Sequence, residues 1–273
     1  MIHIFSLHFK DDKWADIQLR SIKHYVKVPY KTYAVYSHMS KDIYDKRKTQ
    51  YDYFLNKEEG LHVHKGGNYH LTDGHRDIIP LIKKHSQPGD IFLRLDSDAF
   101  IIDDIDDKFI DLVNKHKFIA VHEPQHEWDI NHKTPHPSLW AFPTDFLNTN
   151  LSKAMSTLNE DKHSNWWGGV VKWIEQNNIN WYSLERSNKI SLHPLYYAIY
   201  GNLVYHHWAG SRNMITRPDR KISKSTGESL DKIAYKNNQI SNIIYQHLHE
   251  QPLEFIKYLK GEYDGELTET DIE

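Results

Sequence analysis

Apolar residues recur along the chain with two periods, and their order predicts strands that alternate with helices. Residues 2–9 form an apolar, strand-like run, and residues 13–25 carry apolar side chains at helical spacing. Further strands are predicted at residues 32–36, 61–63, 91–95, 118–121, 139–142 and 202–207, and further helices at 73–85 and 170–176. Strands that alternate with helices favour an α/β fold with a mainly parallel central sheet covered on both faces.

The last part of the chain has a different pattern. Residues 230–249 and 252–259 have helical spacing, and the final stretch is acidic. No internal repeat or low-complexity linker divides the 273 residues. We therefore expect one domain over residues 1–225, followed by a C-terminal helical extension with an acidic tail over residues 226–273.

Composition removes several classes of function. The net charge of −3 gives no bulk attraction to nucleic acid, and the absence of cysteine excludes disulfides and thiolate metal sites. The N-terminus lacks the apolar run of a signal peptide, and no stretch approaches the roughly 20 apolar residues of a transmembrane helix. These features predict a soluble, cytoplasmic protein with no nucleic-acid partner.

The segment at residues 89–104, GDIFLRLDSDAFIIDD, carries the clearest chemical signal. A strand with the apolar character of a buried one runs directly into Asp96, Ser97 and Asp98. Parallel sheets bind ligands at the carboxyl ends of their strands, and oxygen ligands suit Mg²⁺ or Mn²⁺. A solvated acidic turn is the alternative, but the apolar residues on both sides favour a metal site because unpaired buried carboxylates are costly. The acidic run at residues 103–107 fits a loop and a helix start.

This segment resembles the DxD strand of the GT-A glycosyltransferases, with some similarity to the glycogenin-like family. The resemblance covers residues 2–217 and implies a GT-A fold, in which Asp96 and Asp98 hold a divalent metal that binds the donor's diphosphate. The first strand and helix are similar to the family's nucleotide-binding start, which makes Ser6 a donor-binding candidate beside Ser97. The stretch GHRD at residues 74–77 is similar to a donor-side basic segment, and so implies a role for Arg76.

A second motif, YHHWAGSR at residues 205–212, follows the last predicted strand. In many GT-A enzymes a histidine near this point completes the metal site, and the spacing from His207 to Gly210 matches the His-x-x-Gly of the glycogenin-like group. The resemblance therefore implies His207 as a metal ligand and places Gly210 and Arg212 near the diphosphate. His206 remains a competitor, because alternation along a strand turns only one of the two toward the site. The Lys-Pro-Trp expected after this motif is absent.

The region between these motifs holds candidates for the acceptor side. Trp166 and Trp167 precede two glycines and suit stacking on a sugar, with core packing as the alternative. An inverting transferase needs a carboxylate base, for which Glu123 is the first candidate and Asp129 the second. Asp145 and Asp161 also remain open, as does the stereochemistry.

The sequence thus predicts a metal-dependent glycosyltransferase. It would move a sugar from a nucleotide-diphosphate sugar, a UDP-sugar first, to a hydroxyl of a glycan or other acceptor. A nucleotidyltransferase is a rival, but it needs a glycine-rich loop after the first strand, where this chain reads LHFKDDKW. A catalytically inactive carbohydrate- or nucleotide-binding protein is another alternative. A histidine-rich metallohydrolase is a third alternative.

Overall fold

A computed structural model describes residues 1–9, 12–57, 69–122, 134–157, 167–187, 198–207, 242–243, 245–247, 251, 254–255 and 257. The strands are β1 (Ile2–Phe9), β2 (Tyr30–Ser37), β3 (Tyr53–Lys57), β4 (Ile91–Asp96), β5 (Ala99–Ile101), β6 (Ile119–His122), β7 (Pro135–Pro143), β8 (Tyr182–Leu184), β9 (Arg186–Ser187), β10 (Ala198–Tyr200) and β11 (Val204–His206). The helices are α1 (Ala15–Tyr25), α2 (Lys41–Arg47), α3 (Tyr69–His85), α4 (Asp107–His116), α5 (Leu151–Ser156) and α6 (Gly168–Gln176), with a 3₁₀ turn at Thr144–Asn148.

The central sheet has seven strands in the order β3-β2-β1-β4-β7-β6-β8. Strands β1 to β4 run parallel to one another, whereas β7 runs antiparallel to both of its neighbours, β4 and β6. The carboxyl ends of β1, β2 and β4 consequently meet at one edge of the sheet. The prediction of an α/β fold with a mainly parallel sheet is confirmed, and this architecture is the one that the GT-A resemblance implied.

Both faces of the central sheet are buried, and successive side chains on each strand point to opposite faces. Ile4 and Leu93 belong to the core that includes α1 and α4, whereas Phe5 and Phe92 belong to the core that includes α3, α5 and α6. This double burial explains why β1 and β4 read as continuous apolar runs in the sequence.

A second, four-stranded sheet follows the order β5-β11-β10-β9. β5 begins directly after the turn that ends β4, and it pairs antiparallel with β11, so that Ala99 lies opposite His206. This pairing brings the end of β11 beside the carboxyl end of β4.

Strand β3 at Tyr53–Lys57 and the short helix α2 before it were not predicted from the sequence. The strand predicted at residues 61–63 lies outside the described residues and stays a prediction. Residues 201–203 form a turn, so the last strand begins at Val204. Helix α3 continues through Pro80, which lies at an exposed position of the helix.

The described residues of the C-terminal segment contact the main body of the protein. Residues 242–243, 245–247, 254–255 and 257 are helical, in agreement with the sequence pattern. The ring of Tyr245 lies 5.7 Å from that of Trp14, and Phe255, 2% exposed, lies 6.5 Å from Tyr205. None of the helices in the described part of the chain has the length and apolar character needed to cross a membrane.

Candidate metal centre

Two carboxylates and one imidazole converge where the two sheets meet. Asp96 ends β4, Asp98 lies in the following turn, and His206 ends β11. Nε2 of His206 lies 3.2 Å from Oδ1 of Asp98 and 3.6 Å from Oδ2 of Asp96. Within the described part of the chain, one ligand atom from each of these three residues lies within 4.8 Å of the others, as a shared metal ion requires.

Helix α1 fixes the turn that carries the two aspartates. The fully buried side chain of Gln18 donates through Nε2 to the carbonyl of Asp96 at 2.7 Å and to that of Ala99 at 2.9 Å. Ser21, also on α1, contacts β5, since its Oγ accepts from the backbone N–H of Ile101 at 3.2 Å. The two carbonyls that flank the turn are therefore held by one side chain from another element.

A buried arginine orients the first carboxylate. Arg94 is 1% exposed, and its Nη2 lies 2.8 Å from Oδ1 of Asp96. Nε of Arg94 donates to Nε2 of His75 on α3 at 3.2 Å, and the guanidinium lies 5.6 Å from the ring of Trp140. Because Arg94 binds Oδ1, the other oxygen of Asp96 is the one that faces His206. Arg94 was not predicted from the sequence, although an arginine inside an apolar strand is a signal of a buried ion pair.

The histidine of the group is His206, whereas the family resemblance favoured His207. Nδ1 of His207 is hydrogen-bonded to the hydroxyl of Tyr205 at 2.8 Å, and its ring lies 5.2 Å from that of Trp14. Burial lowers the pKa of His207 to about 4, despite the opposing charge of Asp98. Its backbone N–H donates to the carbonyl of Asp98 at 2.9 Å. The ring of His206 thus lies with the two aspartates, and the assignment of His207 as a metal ligand stays a prediction.

The donor set fits a divalent cation. Carboxylate oxygens are the preferred ligands of Mg²⁺ and Mn²⁺, and a neutral imidazole adds a ligand that Mn²⁺ also accepts. Two aspartates this close repel each other, and a cation between them would remove that repulsion. Asp96, Asp98 and His206 are the residues that would hold it.

Ser6, predicted to bind the donor, lies buried on β1 beside β4. Its Oγ is 3.1 Å from Nε2 of His8, which also lies 3.4 Å from the hydroxyl of Tyr51. The ring of His8 stacks on that of Tyr36 at 4.5 Å. Burial, reinforced by the charge of Arg47, lowers the pKa of His8 to about 3. This cluster was not predicted from the sequence, and the role of Ser6 stays a prediction.

Arg76 lies on the solvent side of α3, with its side chain 53% exposed. It forms ion pairs with Asp73 at 2.7 Å and with Asp77 at 3.5 Å. Its predicted contact with the donor stays a prediction.

Two further predicted residues are described by the structure. Ser97 is half-buried in the turn between the two aspartates. Trp167 is 8% exposed and belongs to the core, with its ring 5.3 Å from that of His136. The predictions for Glu123, Asp129, Trp166, Gly210 and Arg212 lie outside the described residues.

No protein-family model and no curated protein sequence matches the chain. Solved structures do match it. A glycosyltransferase involved in the glycosylation of the major capsid of PBCV-1 is 19% identical, with a TM-score of 0.41 over 67% of this chain and 80% of that one. A putative nucleotide-diphospho-sugar transferase from Desulfovibrio desulfuricans G20 is 10% identical, with a TM-score of 0.42 over 67% and 79% of the two chains. The glycosyltransferase GlyE of Streptococcus pneumoniae TIGR4 is also 10% identical, with a TM-score of 0.43 over 67% of this chain and 45% of its own. These similar structures are glycosyltransferases and nucleotide-diphospho-sugar transferases, at a distance too great to transfer their activities to this chain.

Proposed function

We propose that this protein is a metal-dependent glycosyltransferase. It would move a sugar from a nucleotide-diphosphate sugar, a UDP-sugar first, to a hydroxyl of a glycan or other acceptor. The observation that carries the proposal is the group of Asp96, Asp98 and His206 at the carboxyl edge of a mainly parallel sheet. Ligands of such sheets bind at this edge, and an aspartate pair there suits a cation that bridges to phosphate oxygens.

The charges of the site explain why a cation is needed. Asp96 and Asp98 are both acidic, so on their own they would repel a diphosphate. A bound Mn²⁺ or Mg²⁺ would reverse this and neutralise the charge that develops on the diphosphate as the glycosidic bond breaks. Arg94 keeps one oxygen of Asp96 turned toward His206.

The remaining assignments extend this proposal from the sequence. Ser6, Ser97 and Arg76 would contact the donor, together with Gly210 and Arg212. Glu123 or Asp129 would accept the proton of the acceptor hydroxyl, and Trp166 and Trp167 would contact the acceptor.

A thermal-shift panel tests the proposal. UDP-, GDP-, CMP- and dTDP-sugars are each added with and without Mn²⁺. A ligand that binds only the folded state stabilises it by about 2.7 kcal/mol at a hundredfold excess over its dissociation constant. We expect one nucleotide class, UDP first, to raise the melting temperature only when Mn²⁺ is present.

Asp98→Asn should abolish this shift, because it removes a ligand charge while it keeps the shape of the side chain. Asp111→Asn is the matched control, since Asp111 is exposed on α4 and loses the same charge outside the site. No shift with any nucleotide in either metal state would contradict the transferase proposal. A metal-dependent shift without sugar transfer to any acceptor would instead identify a binding protein.

A further inference from the structure

His206 is supported on the side opposite the carboxylates by a buried tyrosine. Nδ1 of His206 lies 2.7 Å from the hydroxyl of Tyr200, while Nε2 faces Asp98. Tyr200 is fully buried and ends β10, which pairs antiparallel with β11. The two ring nitrogens therefore have opposite surroundings, with a hydroxyl on one side and the acidic pair on the other.

A hydroxyl is well suited to this place because it can both donate and accept. When Nε2 of His206 binds a cation, the ring proton resides on Nδ1, and the Tyr200 oxygen can accept it. When Nε2 instead carries the proton and faces Asp98, the Tyr200 hydroxyl can donate to Nδ1. A phenylalanine ring in this position could do neither.

The hydroxyl of Tyr200 is itself held from the central sheet. Ser138 on β7 donates through Oγ to the Tyr200 oxygen at 3.2 Å, and the same Oγ lies 3.0 Å from Nδ1 of His136. Ser138 is fully buried and His136 is 8% exposed. This chain of polar groups connects β7 of the central sheet to the ligand at the end of β11.

We infer that Tyr200 is the positioning residue of the metal centre, orienting His206 so that Nε2 is presented to the cation. The inference rests on the proposed metal site. Hydrogen-bond partners behind a ligating histidine typically change metal affinity by about 10–100-fold when they are removed.

A second tyrosine–histidine pair, formed by Tyr205 and His207, supplies a matched control. The hydroxyl of Tyr205 lies 2.8 Å from Nδ1 of His207, and Tyr205 is also fully buried. Tyr205→Phe therefore removes the same atom, from the same kind of tyrosine–histidine pair, beside the histidine that is outside the metal group. Both variants lose a buried hydrogen bond to a histidine, but only Tyr200→Phe should act on the metal.

Two measurements on the full-length protein test the inference. Binding of Mn²⁺ alone is measured by calorimetry for the wild type and both variants, and the imidazole nitrogens are observed by ¹⁵N NMR in the metal-free state. We expect Tyr200→Phe to weaken Mn²⁺ binding by about 10–100-fold. In the same variant the ring signals of His206 should move and those of His207 should not. Tyr205→Phe should show the reverse NMR pattern with Mn²⁺ binding close to that of the wild type.

The outcomes separate this inference from the proposed function. A wild type that binds Mn²⁺ and a Tyr200→Phe variant that binds it equally well would overturn the positioning role alone. Weakening by Tyr205→Phe in place of Tyr200→Phe would overturn it too, and would assign the metal to His207. A wild type that binds no Mn²⁺ would overturn the metal site itself and the positioning role with it.

Discussion

At the scale of single residues, the described part of the chain holds several histidines inside the protein. His8 and His207 are fully buried, and burial lowers the pKa of the first to about 3 and of the second to about 4. Burial also lowers the pKa of His136 and of His3, although the hydrogen bond that His3 donates to Asp90 opposes the shift at His3. These side chains therefore fold in their neutral form.

The stability of the protein should consequently fall in mild acid. When a histidine has a lower pKa in the folded state than in the unfolded state, its contribution to stability is complete at pH values above the unfolded-state pKa of about 6.5. This contribution is lost as the pH falls through 6.5 toward the folded value, at up to about 1.4 kcal/mol per pH unit for each proton. For His8 the window runs from pH 6.5 down to about 3.

Urea unfolding between pH 4 and pH 7 would measure this loss. His8→Gln should reduce the slope of the unfolding free energy against pH by up to the contribution of one proton, about 1.4 kcal/mol per pH unit. This holds whatever the effect of the substitution on stability at neutral pH. An equal slope in the wild type and His8→Gln would contradict the neutral burial of His8.

At the scale of elements, the group of Asp96, Asp98 and His206 depends on a helix that supplies none of these three side chains. Gln18 on α1 is the side chain that bonds both Asp96 and Ala99, and it lies 78 residues from Asp96 in the chain. Its own Oε1 is buried and has no hydrogen-bond partner among the described residues, which costs stability. Gln18 thus holds the turn between β4 and β5 through its amide nitrogen alone.

Gln18→Met, which keeps the length of the side chain but loses the amide, should lower the free energy of unfolding by about 1–3 kcal/mol, because the carbonyls of Asp96 and Ala99 lose a buried donor. It should also weaken Mn²⁺ binding, because the turn that orients the two aspartates is released. Denaturant unfolding and Mn²⁺ calorimetry measure the two effects. Gln176→Met, at an exposed position of α6, is the control and should change neither quantity. Unchanged Mn²⁺ affinity in Gln18→Met would show that the turn holds its shape without α1.

At the scale of the whole molecule, the main core includes a residue from the C-terminal segment. Phe255 belongs to the same core cluster as Ile4 and Leu93 of the central sheet. Lys13 reaches the same segment, since its Nζ donates to Oδ1 of Asn242 at 2.9 Å. The predicted division at residues 225 and 226 stays a prediction, but the apolar core continues across it.

Phe255→Ala should therefore destabilise the full-length protein by about 3–5 kcal/mol, as expected when a buried phenylalanine leaves a cavity. Lys257→Ala, at an exposed position two residues further along, should change stability by less than about 0.5 kcal/mol. Denaturant unfolding compares the two variants. Similar small effects from both would mean that the segment contributes little to the core.

The sequence alone was sufficient to predict the features that depend on the order of apolar and polar residues within a short stretch of the chain. Doubly buried strands must be continuously apolar, so β1 and β4 could be located from composition within a window of a few residues. The aspartates could be identified because Asp96 and Asp98 interrupt an apolar stretch at the end of such a strand. The start of α4 was also predictable, since Asp106 accepts hydrogen bonds from the first backbone N–H groups of that helix.

The tertiary structure decided which side chains meet. His206 and His207 are equivalent by local pattern, and only the pairing of His206 with Ala99 across β5 and β11 turns the former toward the aspartates. Gln18 and Tyr200 could not be found in the sequence, because their partners are brought to them by packing between separate elements. Periodicity records which residues are buried, but contacts between residues distant in the chain depend on strand register and helix packing, which no local window contains.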